Sequence, residues 1–308
     1  MKENLKKFIK ESVVYRESNP IELVVLIASI ATVYIRDSDS KETRENILEA
    51  INLYKTYFKQ YLKWQQNPKT HQWRPTSDDI PELADVFPQI TPMHEWEFGY
   101  HGGETLLSAS EYFLQGFGMP KWQGGDGYLR MACPVDFMLD SSEEYISFIK
   151  RLCNILRPQH GYAGFGIMES IAHDVQQYYQ PQVWQLAQRM SGLEVDIPSS
   201  HILHLKNKIK GVNWITILND GYVDQVYSLN QLENEPSIRL INFNDGIIIV
   251  AGQYPVLGES LGATPPRDYA LVAQSLKTIR ATDLASFHYA GEGRMHEAEV
   301  RRWLARFD

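Results

Sequence analysis

The sequence that decides the fold lies in two pieces, IKGVNWITIL at residues 209–218 and NDGIIIVAGQYPVLGE at residues 244–259. Both contain apolar runs rich in Ile and Val, which predict buried strands because β-branched side chains suit a packed sheet. An Asp-Gly pair within the second piece is a strong hairpin signal. We therefore predict that residues 239–243 and 247–251 pair through a turn at Asn244-Asp245-Gly246.

Outward from these pieces, the chain alternates strand-like and helix-like patterns. Residues 21–35 form an apolar, β-branched run that predicts a long buried strand, since about fifteen residues are too few for a membrane-spanning helix, which needs ~20. Residues 42–64 carry apolar and aromatic side chains at helical spacing and predict an amphipathic helix. Further strands are predicted at 96–100, 128–137, 161–168 and 212–218, and further helices at 104–117, 143–156, 170–190 with a break at Pro181, 221–232, 267–278 and 294–307.

Strands mixed with helices, together with a definite hairpin, predict an α+β (mixed α/β) fold. We expect an antiparallel-containing sheet with packed helices, and two similar halves are an alternative arrangement because the last third repeats the earlier pattern. No low-complexity linker interrupts the sequence. A single domain over residues 1–308 is therefore expected, with residues 192–200 as the place where an internal division would fall.

Composition and charge narrow the classes of function. The chain has 308 residues, an apolar fraction of 44% and a charged fraction of 22%, which are ordinary values for a folded protein. Its formal charge of −8 argues against direct nucleic-acid binding, because phosphate contacts need clustered Lys and Arg. The same charge suits a partner with a basic surface, although it is equally consistent with a simple role in keeping the protein dissolved.

The two cysteines, Cys133 and Cys153, lie in apolar surroundings and are expected to be buried thiols rather than a disulfide framework. The N-terminal residues are basic, but no compact apolar segment with a cleavage site follows them. We therefore expect a reducing, cytoplasmic location and no association with a membrane.

The side chains that could carry chemistry do not form a recognised motif. His94 and His101 flank a predicted strand with acidic residues nearby, but metal-ligand spacing such as His-Glu-x-x-His is missing, so we expect no metal. The Gly-rich segments 124–127 and 161–166 lack the strand and helix context of a phosphate-binding loop, so we expect no cofactor. An enzyme remains the alternative, with a site assembled from scattered His, Asp and Cys residues such as His94, His101, Asp126 and Cys133.

One acidic cluster, between residues 78 and 85, is a candidate binding site. Pro81 prevents this segment from entering a regular sheet, and on a helical turn Asp78, Glu82 and Asp85 would share one face. Such a face could dock into a basic groove, or it could simply be solvated. The candidate partner-binding residues are Asp78, Asp79, Glu82 and Asp85.

The two pieces quoted first resemble the signature of the TsiV-type immunity proteins of bacterial type VI secretion, which are paired with toxic effectors, notably VRR-Nuc nucleases. The resemblance extends to Tyr269, to the Leu-x-x-x-Arg pattern at 276–280 and to the Trp-x-x-Arg-Phe pattern at 303–307. This chain departs from the family at Glu259, where Asp is frequent. It departs again at the start of the last helix, where Asp-Glu-x-x-Thr is frequent and this chain has His296, Glu297 and Val300.

The resemblance implies a function by binding rather than by catalysis. It implies an immunity protein that neutralises a cognate type VI effector, of the VRR-Nuc DNase type, by occluding its active or DNA-binding site. A structural or adaptor protein that associates with itself through its aromatic residues is a further alternative. The signature residues are expected to specify the fold rather than to contact the effector, and they are Gly211, Asn213, Trp214, Gly246, Gly252, Pro255 and Gly258.

Overall fold

The computed structural model describes residues 2–205, 207–284 and 295–308. Its strands are β1 (Val14–Arg16), β2 (Asn19–Ile35), β3 (Trp64–Gln66), β4 (Trp73–Pro75), β5 (Trp96–His101), β6 (Phe113–Gly118), β7 (Gly127–Cys133), β8 (His160–Glu169), β9 (Glu194–Val195), β10 (Ile215–Asn219), β11 (Ile238–Phe243) and β12 (Gly246–Ala251). Its helices are α1 (Lys2–Glu11), α2 (Lys41–Phe58), α3 (Leu83–Val86), α4 (Val135–Asp140), α5 (Ser142–Leu156), α6 (His173–Arg189), α7 (Pro198–His201), α8 (Asp220–Val223), α9 (Leu229–Glu233), α10 (Arg267–Ser275) and α11 (Glu297–Leu304).

Within the described residues, all of these strands belong to one sheet. Its order is β11-β12-β10-β8-β2-β7-β6-β5-β3-β4, and every neighbouring pair on this path is antiparallel. Strand β1 adds to β2, and the short β9 lies parallel to β8. The α+β fold with an antiparallel sheet is thereby confirmed.

The centre of the sheet is β2, the long strand that the apolar run at 21–35 predicts. It pairs with β8 over Val25–Tyr34 on one side and with β7 over Ser29–Ile35 on the other. Successive side chains of a strand point to opposite faces. Ser29 accordingly donates to the Met138 sulfur of α4, whereas Thr32 donates to Asp196 on the opposite face.

The prediction of a helix over 104–117 is wrong, because the end of this segment is strand β6. Two glycines of β6 lie under aromatic rings of β5: a Cβ on Gly116 would come within 2.3 Å of the Phe98 ring, and one on Gly118 within 2.2 Å of the Trp96 ring. Only glycine fits at such close approaches. The strand predicted over 128–137 ends at Cys133, since Pro134 precedes helix α4.

Two helix predictions in the second half also need correction. Helix α6 continues through Pro181, which therefore does not break it. The helix predicted over 221–232 is divided into α8 and α9. The predicted final helix is present as α11, and its expected first residue, Arg294, lies outside the described residues.

The predicted hairpin forms, but its turn differs from the expectation. Phe243 pairs with Gly246, so Asn244 and Asp245 alone make the turn and Gly246 already belongs to β12. A Cβ on Gly246 would meet the carbonyl oxygen of Leu218 at 2.1 Å. This glycine is therefore required by the close approach of β10, not by a left-handed turn.

Residues 192–200 do not have the character of a linker. Residues 192–198 are buried, and the segment contains β9 and the start of α7. The sheet is continuous on both sides of them, because β8 pairs with β10. The single-domain organisation stays a prediction. Among the described helices, none is both long enough and apolar enough to cross a membrane.

Candidate functional site

The first signature piece, residues 209–218, and the Trp-x-x-Arg-Phe pattern at 303–307 are far apart in sequence. In the fold they meet at one buried carboxylate, that of Glu194. Lys210 Nζ lies 2.6 Å from Glu194 Oε1, and Arg306 Nη2 lies 3.0 Å from Glu194 Oε2. Asn213 of the first motif also donates to Glu194, at 3.5 Å. Burial lowers the pKa of Lys210, and it lowers the pKa of Arg306 to about 10. These are contacts of the protein interior.

Trp214 connects the two pieces of sequence that decide the fold. Its side chain is fully buried and its ring lies 5.9 Å from that of Tyr145, in a stacked arrangement. The indole N–H donates to the carbonyl oxygen of Gly252 at 3.1 Å. Gly252 has a φ of +88°, and a Cβ there would lie 2.9 Å from Asp268 Oδ2. The Trp and the Gly therefore fix the strand β10 to the loop after β12.

The other signature residues are also placed by packing. Pro255 is buried. Gly258 has a φ of +69°, and a Cβ at this position would lie only 2.4 Å from Ser191 Oγ. Asn213 Oδ1 accepts from the Trp214 backbone N–H at 2.7 Å. Gly211 differs, because no described atom lies within 4 Å of its would-be Cβ and nothing in the structure explains it.

The residues of the enzyme alternative are not brought together. Asp126 precedes β7 and Cys133 ends it, so they lie at opposite ends of a strand that rises ~3.3 Å per residue. Burial raises the pKa of the Cys133 thiol to about 12 and lowers the pKa of His101 to about 4. His94 is exposed beside Thr91. Across residues 2–205, 207–284 and 295–308, no group of three or more His, Cys, Asp or Glu side chains could hold a metal ion.

Residues 78–95 form an exposed acidic segment, the acidic strap, which contacts β5 through Phe87 against Trp96 and Glu82 against Tyr100. It contains five carboxylates and neither Lys nor Arg. The carboxylates are all exposed, so none of their charge is hidden in the core. The residues that anchor the strap by burial are Ile80, Leu83, Val86 and Phe87, and the exposed carboxylates are Asp78, Asp79, Glu82, Asp85 and Glu95.

The predicted helical face of this cluster is wrong. Helix α3 begins only at Leu83, so Asp85 is helical while Asp78 lies in a turn before Pro81. Glu82 precedes the helix, where it lies 3.3 Å from Lys55 Nζ and accepts from Tyr100 at the same distance. The strap thus presents its acids along an extended path, because Pro81 separates the turn from the helix.

Arg44 of α2 fixes the second half of the strap. Its guanidinium is buried and donates to the carbonyl oxygens of Phe87, Ile90 and Thr91. Burial lowers the pKa of Arg44. The Phe87 ring also meets the Trp96 ring edge-on at 5.3 Å. The acidic strap is therefore a well-held surface and not a loose loop.

A concave surface lies on the face of β5–β7 that is opposite to the acidic strap. It encloses about 250 Å³ and is lined by residues that include Trp73, Glu97, Arg130 and Glu169. Arg130 Nε lies 2.9 Å from the buried carboxylate of Asp196, so the cation here is already paired. Burial raises the pKa of Glu169 to about 7. The positive and negative side chains of this concave surface compensate one another. It is therefore a weaker candidate than the acidic strap for binding a charged partner.

The fold and its motifs define a class, the immunity proteins of type VI secretion. The family model TsiV, described as type VI immunity for VRR-NUC, matches residues 46–307, and the chain belongs to this family. The resemblance inferred from the motifs is confirmed. The partner is accordingly a cognate VRR-NUC effector of the type VI secretion system.

A solved structure shows the same fold. The Pseudomonas aeruginosa T6SS protein PA0821 superimposes with a TM-score of 0.85 over 99% of this chain and 91% of that chain, at 21% sequence identity. At that identity, the likeness concerns the fold alone. The comparison with curated proteins returns no match.

Proposed function

We propose that this protein binds its cognate VRR-NUC effector in the cytoplasm and neutralises it by occluding the active or DNA-binding site. Membership of the family supports the binding role. The observation that carries the mode of inhibition is the acidic strap, whose five carboxylates are exposed and whose own sequence contains no Lys or Arg. Of these carboxylates, Glu82 pairs with Lys55 of α2. The surface of the protein can thus take the place of a nucleic-acid backbone.

The chemistry of the partner explains why carboxylates suit this task. A nuclease must hold a polyanion, so its groove presents Lys and Arg side chains to phosphates. Asp78, Asp79, Glu82 and Asp85 offer negative charges to the same groove. Such complementarity raises the association rate and disfavours partners of the wrong charge. The bulk of the bound protein then excludes DNA.

The proposal includes no catalytic step by this chain. The thiol of Cys133 is buried with a pKa raised to about 12, so it is not a ready nucleophile. His101 is buried too, and the lowered pKa keeps its ring neutral. Binding alone accounts for protection, because a nuclease that cannot reach DNA does no damage.

The cytoplasmic location follows from the target. An effector that cleaves DNA acts where the chromosome is, and its inhibitor must meet it there. The test is rescue of cells that express the effector in the cytoplasm, with the immunity protein produced either without a leader or fused to an export signal. The proposal predicts rescue by the unexported form alone. Rescue that needs export would contradict both the location and the nuclease target.

A further inference from the structure

Trp122 stands apart from the other tryptophans of this protein. The chain has seven, all within the described residues, and the other six are buried or half-buried. The Trp122 side chain is 65% exposed, and the neighbouring Met93 is 59% exposed. Leaving such a large apolar side chain in water forgoes the free energy that its burial would contribute. An exposed apolar pair beside a strongly charged segment is a candidate for contact with another molecule.

The pair is held in place by hydrogen bonds. The Trp122 indole N–H donates to the carbonyl oxygen of Met93 at 3.3 Å. The backbone N–H of Lys121 donates to the carbonyl oxygen of Pro92 at 2.9 Å. Trp122 lies in a 3-10 helix, Lys121–Gln123, which ends at Gly124 with a φ of +110°. A side chain that is already fixed loses little conformational entropy when a partner covers it.

The position of the pair connects it with the acidic strap. Met93 belongs to the strap, two residues before Glu95, and the strap continues from there to Asp85 and the acidic turn. On the other side, the turn after Trp122 meets Asp39, whose Oδ1 lies 2.6 Å from the would-be Cβ of Gly125. Met93 and Trp122 are thus an apolar pair that borders the acidic strap, with the exposed Lys121 beside Trp122 in the chain and Asp39 beside the turn that follows. An apolar centre with a polar rim is the usual anatomy of a protein interface.

We propose that Met93 and Trp122 form the apolar anchor with which this protein holds a basic partner surface, one that has an apolar recess between Lys or Arg side chains. This inference rests on the proposed function and deepens it, because the partner is the cognate effector. Tryptophan is the residue type most enriched among interface hot spots. Its ring face also attracts the cationic side chains that a nucleic-acid groove presents. The carboxylates steer the encounter, and the anchor slows dissociation.

The test is the affinity of purified effector for Trp122→Ala, Met93→Ala and a control, Tyr227→Ala. Tyr227 is an aromatic residue that is 96% exposed and lies outside the strap. It therefore controls for the loss of an exposed ring at a different position. We expect Trp122→Ala to weaken binding by at least about 30-fold, mainly through faster dissociation. Met93→Ala should weaken it less, and Tyr227→Ala should bind like the wild type. Binding of Trp122→Ala within twofold of the wild type would overturn the anchor.

Quenching of fluorescence by iodide gives a second readout that does not depend on affinity. In the free protein, the quenchable signal that Trp122→Phe removes is that of Trp122, since the other tryptophans are buried or half-buried. Saturating effector should protect this component, and unchanged quenching in the complex would overturn the anchor. If the wild type itself fails to bind effector, the proposed function fails as well. If the wild type binds and the anchor variants match it, the function stands without the anchor.

Discussion

Lys210 Nζ lies 2.6 Å from Glu194 Oε1, and both side chains are almost completely removed from solvent. Arg306 approaches the other oxygen of the same carboxylate. One glutamate is thus paired with two buried cations, Lys210 of the first signature motif and Arg306 near the end of the chain. Removing one partner of a buried ion pair leaves an uncompensated charge, which is costly.

We therefore expect Glu194→Ala to lower the free energy of unfolding by ~3–5 kcal/mol, because two cations stay behind without their anion. Glu194→Gln keeps the shape of the side chain, so it should also lower the free energy of unfolding, but by less. Urea denaturation monitored by circular dichroism measures both. The exposed Glu259→Gln is the matched control and should change stability by less than ~0.5 kcal/mol. Wild-type stability of Glu194→Ala would show that this cluster does not hold the fold together.

A pair of tryptophan variants separates folding from recognition. Trp214→Ala removes a fully buried ring and its bond to Gly252, so it should cost ~3–5 kcal/mol of stability. Trp122→Ala removes an exposed ring and should leave the melting temperature unchanged. Thermal melting of both variants measures the contrast. A normal melt for Trp214→Ala together with lost effector binding would place this signature residue in the interface instead of in the core.

The acidic strap should act mainly on the rate of association. Conversion of Asp78, Asp79 and Asp85 to Asn and of Glu82 to Gln should slow association severalfold and flatten its dependence on salt, because exposed charges steer encounter. Stability should change little, by less than ~1 kcal/mol, even though Glu82 loses its surface pairing with Lys55. Stopped-flow measurement of association with the effector across a salt series is the test.

The control for the strap variant has the same net charge as that variant. Glu3, Glu11, Asp224 and Glu233 are exposed and lie outside the strap, so converting them to Gln and Asn removes four charges elsewhere. This control should associate almost as the wild type does. Equal slowing in both variants would make the overall charge of −8 the cause, and no slowing in either would leave the acidity without a role in docking.

Stability should fall in acid, because the native state excludes protons from a buried histidine. His160 stacks on Tyr34 at 4.5 Å and meets Tyr222 edge-on, and burial lowers its pKa from 6.5 to about 3. Between these values unfolded His160 binds more protons than native His160, so the contribution of this residue to stability is complete above about pH 6.5 and decreases as the pH falls. At pH 5 the contribution of His160 has fallen by ~2 kcal/mol, from about 1.4 kcal/mol per pKa unit.

His160→Phe keeps a ring in the stack and cannot be protonated, so its stability should decline less between pH 6.5 and pH 4. His101 contributes in the same direction, since its pKa is lowered to about 4. Glu169 works in the opposite direction, because its raised pKa of about 7 makes the native state bind more protons between pH 4.5 and pH 7. Urea unfolding at a series of pH values measures the slopes. Equal slopes for wild type and His160→Phe would contradict the burial of this ring.

The parts of the fold that local pattern specifies could be predicted from the sequence. Residues 21–35 are mostly apolar and rich in β-branched side chains, and they form most of β2. The helix predicted over 143–156 is α5, because its apolar residues repeat at helical spacing. The segment 104–117 was beyond such reasoning, since the requirement for Gly116 and Gly118 comes from the rings of Phe98 and Trp96 on another strand.

The candidate site divides in the same way. The run of acids between Asp78 and Asp85 is visible in the sequence, because neighbouring charges need no tertiary contact to be recognised. The pairing of Met93 with Trp122 is not visible, since it joins residues 29 apart through a hydrogen bond in the folded chain. A tryptophan between Pro120 and a Gly-Gly turn is the one local signal that could have drawn attention to it.

The central claim is that the protein inhibits its effector by taking the place of DNA. The most direct measurement is a titration of labelled DNA bound to a catalytically inactive variant of the cognate effector. We predict that the wild-type protein releases the DNA completely at one equivalent, and that the same ratio abolishes cleavage by the active effector. A complex of effector and immunity protein that still binds DNA with unchanged affinity would contradict it.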